Sequence, residues 1–177
     1  LRRSCRTRMC YPSSGGIKYS RPYFPLFVKP LSEGTGKGIN RKSKVENREE
    51  LSEAVLRVLE NNHQPALVEE YLPGREFTVG IVGSGETAKI VGAMEIFSAD
   101  AVYSLEVKEN YEELAHYKTP DKHLMEICTE VALNSWKALG GVDGGRIDLR
   151  FDRHNRLCFI EANPLAGLNP VHSDLPM

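Results

Sequence analysis

The apolar positions of this chain recur with two periods, and a glycine, a proline or a polar cluster closes each regular stretch. FPLFVKP, residues 24–30, reads as a short strand that ends at Lys29 and is stopped by Pro30. A glycine-rich loop, SEGTGKG, follows it. Asn47 with Glu50 three residues later resembles a capping box. From there Leu51, Val55, Val58 and Leu59 recur at helical spacing until NNHQP breaks the helix. ALVEEYL reads as the next strand, Pro73-Gly74 as a turn, EFTVGIVG as another strand, and GSGE as a hairpin turn into AKIVGAMEI. Three strands in succession predict an antiparallel sheet.

From Phe97 to Pro120 the periodicity dissolves into a stretch too long and too charged for a simple connection, which marks a functional loop. Asp121 to Leu139 regains helical spacing, with Leu124, Ile127, Val131 and Leu139 near one face and Gly140-Gly141 as the stop. RIDLRFD and RLCFIEAN then form a hairpin joined across His154 and Asn155, with Arg153 facing Arg156. Helices mixed with mostly antiparallel strands predict an α+β architecture in two lobes, without internal repeats or heptads.

At 177 residues and 41% hydrophobic, the chain can bury a core for one domain or two small lobes. The absence of a long apolar run gives no expectation of membrane insertion or export, and cysteines without a CxxC pair, two of them inside apolar runs, lead to the expectation of a reducing, cytoplasmic setting. The net charge of −1 hides an asymmetry: residues 1–22 carry six basic groups and no acidic one, leaving 17 basic against 24 acidic beyond. That leader, residues 1–23, has neither apolar periodicity nor interleaved aromatics, so it reads as a disordered or foreign segment, and no nucleic-acid partner is expected. Cys5, Cys10, Cys128 and Cys158 form no CxxC pair, which argues against structural zinc. The Leu start and the HSDLPM end give the reading of a fragment truncated at both ends.

Two carboxylates interrupt the apolar runs of the last hairpin. In the register just described Asp148 lies opposite Glu161, where like charges repel unless a cation sits between them. Asn163 follows two residues later on the same face. Two carboxylates and a carboxamide oxygen are a hard-oxygen set suited to Mg²⁺, especially with phosphates completing the shell. The competing reading is a solvated face with Arg146 and Arg150 as charge partners. The glycines at 34, 36 and 38 directly after a strand allow backbone N–H groups to approach phosphate oxygens, and Lys29 and Lys37 add positive charge. The loop fits neither GxxxxGK[ST] nor GxGxxG. Lys29 at the end of an apolar strand calls for an anion to receive it. The end of ALVEEYL can offer backbone edges to an adenine, and Glu76 can accept from ribose hydroxyls.

Taken together, LFVKP, EGTGKG, VEEYLPGREFTVGI, YSLEVK, YKTP, GGRIDLRF and FIEANPLAGLNP resemble the ATP-grasp superfamily, and within it the D-alanine--D-alanine ligases, in order and spacing from about Phe24 to Pro176. The resemblance implies an ATP-grasp fold of two α+β lobes enclosing the nucleotide. It divides the chain into a central lobe at about 24–96, a flap loop at 97–120 and a C-terminal lobe at 121–177. It also implies ATP and Mg²⁺, or Mn²⁺ in its place, and formation of a dipeptide through an acyl phosphate. By position, Lys29 matches a phosphate-contacting lysine, and Glu33, Gly34 and Thr35 the loop that covers the phosphates. Glu69, Tyr71 and Leu72 match the adenine segment, with Glu76 at the ribose. Lys108 matches the flap lysine over the γ-phosphate, and Arg146 the arginine facing the reacting carbonyl. Gly167 matches a glycine bordering the substrate, and Asp148, Glu161 and Asn163 the Mg²⁺ ligands.

Thr35-Gly36 replaces the usual paired serines, Glu109 stands where a tyrosine usually follows the flap lysine, and His172-Ser173 occupies the region that grips the acceptor. Three readings therefore remain: a ligase making D-alanyl-D-alanine or a close relative for peptidoglycan precursors, a ligase with a different amine acceptor, and a nucleotide-binding module without turnover. The resemblance further implies an N-terminal substrate domain in the parent protein, little activity for the fragment alone, and compatibility with a homodimer.

Overall fold

A computed structural model of the chain describes residues 8–11, 23–34, 36–98, 115–164, 166 and 167. Contacts divide it into two units. One comprises Leu1–Tyr71 with Ser98–Ala115, the other Leu72–Phe97 with His116–Met177.

The first unit carries a four-stranded antiparallel sheet in the order β1-β4-β2-β3, built from β1 (Arg8–Tyr11), β2 (Leu26–Pro30), β3 (Lys44–Val45) and β4 (Ala66–Glu70). Helix α1 (Arg48–Asn62) starts where the sequence predicts, with the Asn47 side chain accepting from the Glu50 N–H at 2.9 Å. Glu50 reaches back to the Glu46 N–H and to the Asn47 carboxamide rather than to the Asn47 N–H, so the box is shifted by one residue. Leu51, Ala54, Val55 and Val58 pack on Leu26, Val28, Val45, Ala66 and Val68, which all lie on one face of the sheet. Residues 8–11, expected to belong to a disordered leader, form β1 instead. An extended segment needs no apolar periodicity to pair with the unpaired N–H and C=O groups along an edge such as that of β4.

The second unit holds a five-stranded sheet in the order β7-β6-β5-β8-β9, from β5 (Glu76–Val82), β6 (Lys89–Ser98), β7 (Ala115–Lys118), β8 (Gly144–Phe151) and β9 (Leu157–Asn163). This corrects the expectation of one sheet from three successive strands: β4 belongs to the first sheet, β5 and β6 to the second. Local alternation fixes a strand but not its partners, which depend on contacts distant in sequence. The β5–β6 hairpin, grouped with the first lobe in the sequence reading, therefore lies in the second unit. The irregular stretch from Phe97 is also shorter than expected, since β6 runs to Ser98 and β7 begins at Ala115.

Helix α2 (Lys122–Ala138) is capped by Asp121, whose side chain accepts from the Leu124 N–H. Its buried stripe is Leu124, Cys128, Ala132 and Trp136, an i, i+4 row, while Leu139 is exposed. The stripe meets Phe77, Val79, Ile81, Ile147 and Leu149, so the odd positions of β5 and β8 face the core. The Trp136 indole satisfies its N–H on the Gly83 carbonyl at 3.1 Å. Cys128 and Cys158 are free, buried thiols, and burial pushes that of Cys128 up to about 11. Among the described residues no helix is long and apolar enough to cross a membrane.

Candidate functional site

With the odd positions committed to the core, the even positions of β5 and β8 form the other face of the second sheet, and the register fixes its rows. Glu76 pairs with Arg150, Thr78 with Asp148, and Gly80 with Arg146. On the far side of β8, Asp148 pairs with Glu161 and Arg146 with Asn163. The rows of Thr78 and Gly80 thus bring two carboxylates, a carboxamide, a hydroxyl and a guanidinium into one patch.

Asp148 does face Glu161, but not through the expected turn. The loop pairs Asp152 with Arg156, not Arg153 with Arg156: the Asp152 N–H donates to the Arg156 carbonyl at 2.9 Å, and Asn155 takes a left-handed conformation at φ 54°. A hairpin continued in that register would set Ile160 against Asp148 and turn Glu161 toward the core, because a one-residue slip exchanges the faces. The register shifts between Asp148 and Leu149, where Ile160 is the extra residue of β9. The bulge returns Glu161 and Asn163 to the face of Asp148. It escaped the sequence reading because nothing in RLCFIEAN marks it.

Asp148 is buried, at 8% exposure, and both its oxygens accept two hydrogen bonds. Oδ1 takes the Thr78 hydroxyl at 2.8 Å and Arg146 Nε at 2.9 Å. Oδ2 takes Arg146 Nη2 at 3.1 Å and Asn163 Nδ2 at 3.0 Å. Arg146 was matched to a role at the reacting carbonyl; here its guanidinium forks onto Asp148. Asp148 is thus buried rather than solvated, and the pairing of Arg146 with a carboxylate that the competing reading expected is found. Glu161 and Asn163 are half-buried. The donor set fits a hard divalent cation: the carboxamide presents Oδ1 in place of Nδ2 by turning about its terminal torsion, which frees a lone pair on Asp148 Oδ2. No group of three or more His, Cys, Asp or Glu is gathered among the described residues, so a cation here needs oxygens from outside the chain, such as phosphates.

Glu76 accepts from Arg150 Nη1 at 3.1 Å, while Arg150 Nε donates to the Gly74 carbonyl. Arg150 therefore holds the expected ribose acceptor, a partner that only the strand register reveals. In the first unit the anion that receives Lys29 is Glu69: Nζ lies 3.2 Å from Oε2, and the Glu69 side chain is fully buried. Phe27 pairs with Glu69 on one side and Lys44 on the other, so these three form a row on the face away from α1. The Tyr71 ring lies 6.4 Å from that of Phe27, with Lys44 Nζ 4.9 Å from its centroid. The Tyr71 N–H donates to the Pro25 carbonyl at 3.2 Å, which continues the pairing of β2 with β4 by one residue. Leu72 is buried.

In the glycine-rich loop the Glu33 side chain accepts from Gln64 Nε2 at 3.0 Å, and Gly34 is exposed, with its carbonyl accepting from the Lys37 N–H. Gly38 is required by its φ of +74° and by Pro30, whose Cγ would lie 2.5 Å from an added Cβ. Gly167 is exposed. Thr35, Lys108, Glu109 and His172-Ser173 lie outside the described residues. Phe27, Lys44 and Thr78 were not singled out for the site, and Arg150 only as a charge partner on a solvated face, since each enters it through a strand neighbour distant in sequence.

A protein-family model described as D-ala D-ala ligase C-terminus matches residues 18–177. The D-alanine--D-alanine ligase of Aquifex aeolicus is 34% identical over 154 residues, covering 87% of this chain and 50% of that protein. That of Bordetella petrii is 31% identical over 156 residues, covering 86% and 46%. The chain thus spans about half the length of the curated relatives it matches. Among solved structures, a D-alanine--D-alanine ligase from Bacillus anthracis superposes with a TM-score of 0.74 at 20% identity, covering 98% of this chain and 54% of that one. The VanG D-Ala:D-Ser ligase from Enterococcus faecalis gives 0.72 at 23%, covering 98% and 51%. At such identities the superpositions establish the fold, and that fold is the ATP-grasp fold.

Proposed function

Because this chain belongs to the D-ala D-ala ligase C-terminus family, we propose that it serves an ATP-dependent carboxylate–amine ligase. That ligase joins D-alanine to a second D-alanine, or to a close relative, for cell-wall precursors. The carrying observation is the Asp148, Glu161 and Asn163 patch on the non-core face of the second sheet, in a chain matched by the family over residues 18–177.

In this reading the γ-phosphoryl group of ATP passes to a carboxylate oxygen of the first amino acid, giving an acyl phosphate and ADP. The amine of the second then attacks the acyl carbon, the amide bond forms, phosphate leaves, and the amine loses its proton. Asp148, Glu161 and Asn163 would hold Mg²⁺, which would supply positive charge against the phosphate oxygens. The chain's own part is positioning and charge placement, which phosphoryl transfer chiefly needs. Lys29, Glu33, Gly34 and Thr35 receive the phosphates, Glu69, Tyr71 and Leu72 the adenine, and Glu76 the ribose. Lys108 covers the γ-phosphate, Arg146 faces the charge that develops at the reacting carbonyl, and Gly167 borders the substrate. Lys29 is held by Glu69 and Arg146 by Asp148, so each cation is kept in place by a carboxylate.

Phosphate release by the protein that carries this chain, with Mg²⁺-ATP and either D-alanine, D-serine or L-alanine, tests the proposal. Release that depends on D-alanine is expected. Release with another amine alone moves the acceptor assignment, and nucleotide binding without release for any amine leaves a binding module.

A further inference from the structure

Asp148 is the only carboxylate of the patch whose two oxygens are both engaged by donors from three separate strands among the described residues. Two of the four bonds come from groups with no acceptor form, the guanidinium nitrogens of Arg146, and a third comes from the Thr78 hydroxyl, whose proton is directed at Oδ1. The Asn163 carboxamide, which donates to Oδ2, exchanges its donor for an acceptor by turning. When the carboxamide turns, Oδ1 keeps both its bonds, whereas Oδ2 keeps only that from Arg146 Nη2 and gains a free lone pair. Thr78 decides which is which. It sits directly opposite Asp148 on the middle strand of the five-stranded sheet, at 2% exposure, and its β-branched side chain is stiff about χ1.

We propose that Thr78 is a positioning residue for cation binding: its hydroxyl pins Asp148 Oδ1 and so directs Oδ2 toward the cation shared with Glu161 and Asn163. This rests on the metal reading of the patch given above. Outer partners that orient a ligating carboxylate change metal affinity by about 10–100-fold when removed. Thr78→Val keeps the shape of the side chain and removes the donor. Thr78→Ser keeps the donor and loses only a methyl group.

Mn²⁺ binding to the full chain, followed by loss of the free-ion EPR signal at constant ADP with the ADP-only titration subtracted, measures the effect. Circular dichroism monitors the fold in parallel. Thr78→Val is expected to weaken Mn²⁺ by about tenfold or more, and Thr78→Ser to stay within about threefold of the parent because the donor remains. Equal affinity in a folded Thr78→Val overturns the proposal. So does a tenfold loss in a folded Thr78→Ser, which decides the matter even where the valine variant does not fold. Absence of Mn²⁺ binding by the parent chain overturns the metal reading itself, and this inference with it.

Discussion

Asp148 and Asp152 lie four residues apart on one hairpin. Both are buried, and both have their oxygens engaged by hydrogen bonds, yet the sources of those bonds differ. Asp152 is satisfied by its own turn: Oδ1 accepts the His154 and Arg156 N–H groups, and Oδ2 accepts the Arg156 guanidinium at 2.7 Å. Asp148 draws on β5, β8 and β9, with Thr78 seventy residues away in the chain. A carboxylate closed off by its neighbours in sequence stabilises a turn. One held by donors converging from three strands, beside a second carboxylate, fits the cation site proposed above.

The largest expected contrast is catalytic. Asp148→Asn should lower Mg²⁺-dependent phosphate release by about a hundredfold or more, as loss of a charge-stabilising group does. Asp152→Asn should leave release per folded molecule unchanged, and steady-state phosphate assays on both variants check this. Equal losses in the two would erase the distinction.

The second contrast is in stability. Asp152→Ala strips the acceptor from two N–H groups and a guanidinium and should cost about 1–3 kcal/mol, read by urea unfolding, with Mn²⁺ affinity preserved. Unchanged stability would remove the turn role of Asp152.

The smallest contrast is in pH dependence. Burial alone would push the Asp152 carboxyl up. The hydrogen bonds from the Arg156 backbone and side chain and from the His154 N–H outweigh it and hold the carboxyl below the ordinary carboxylate range. Its contribution is therefore present above the unfolded value of about 3.9 and is lost as pH falls through the folded one. Unfolding free energy measured below about pH 4 should fall more steeply for the parent than for Asp152→Asn. Parallel slopes would contradict the assignment.

What could be read from the sequence follows the same division. Asn47 and Glu50 announced α1 because a cap is local, and the alternation of EFTVGIV announced β5. The partner of β4 could not be read, since ALVEE alternates in the same way whichever sheet receives it. The facing of Asp148 and Glu161 was expected from simple pairing out of the turn. It holds in the structure only because two departures cancel: a turn that closes one residue earlier, and a bulge at Ile160. Thr78 was invisible as a partner of Asp148 because the β5–β8 register is a tertiary fact.

The central claim is that the Asp148, Glu161 and Asn163 face is a cation platform. Anomalous diffraction from crystals of the chain with Mn²⁺ and ADP tests it most directly. The account predicts a Mn²⁺ peak within coordination distance of oxygens from all three residues, with the Asn163 carboxamide turned to present Oδ1. A Mn²⁺ peak elsewhere, with Asn163 Nδ2 still donating to Asp148, would contradict it.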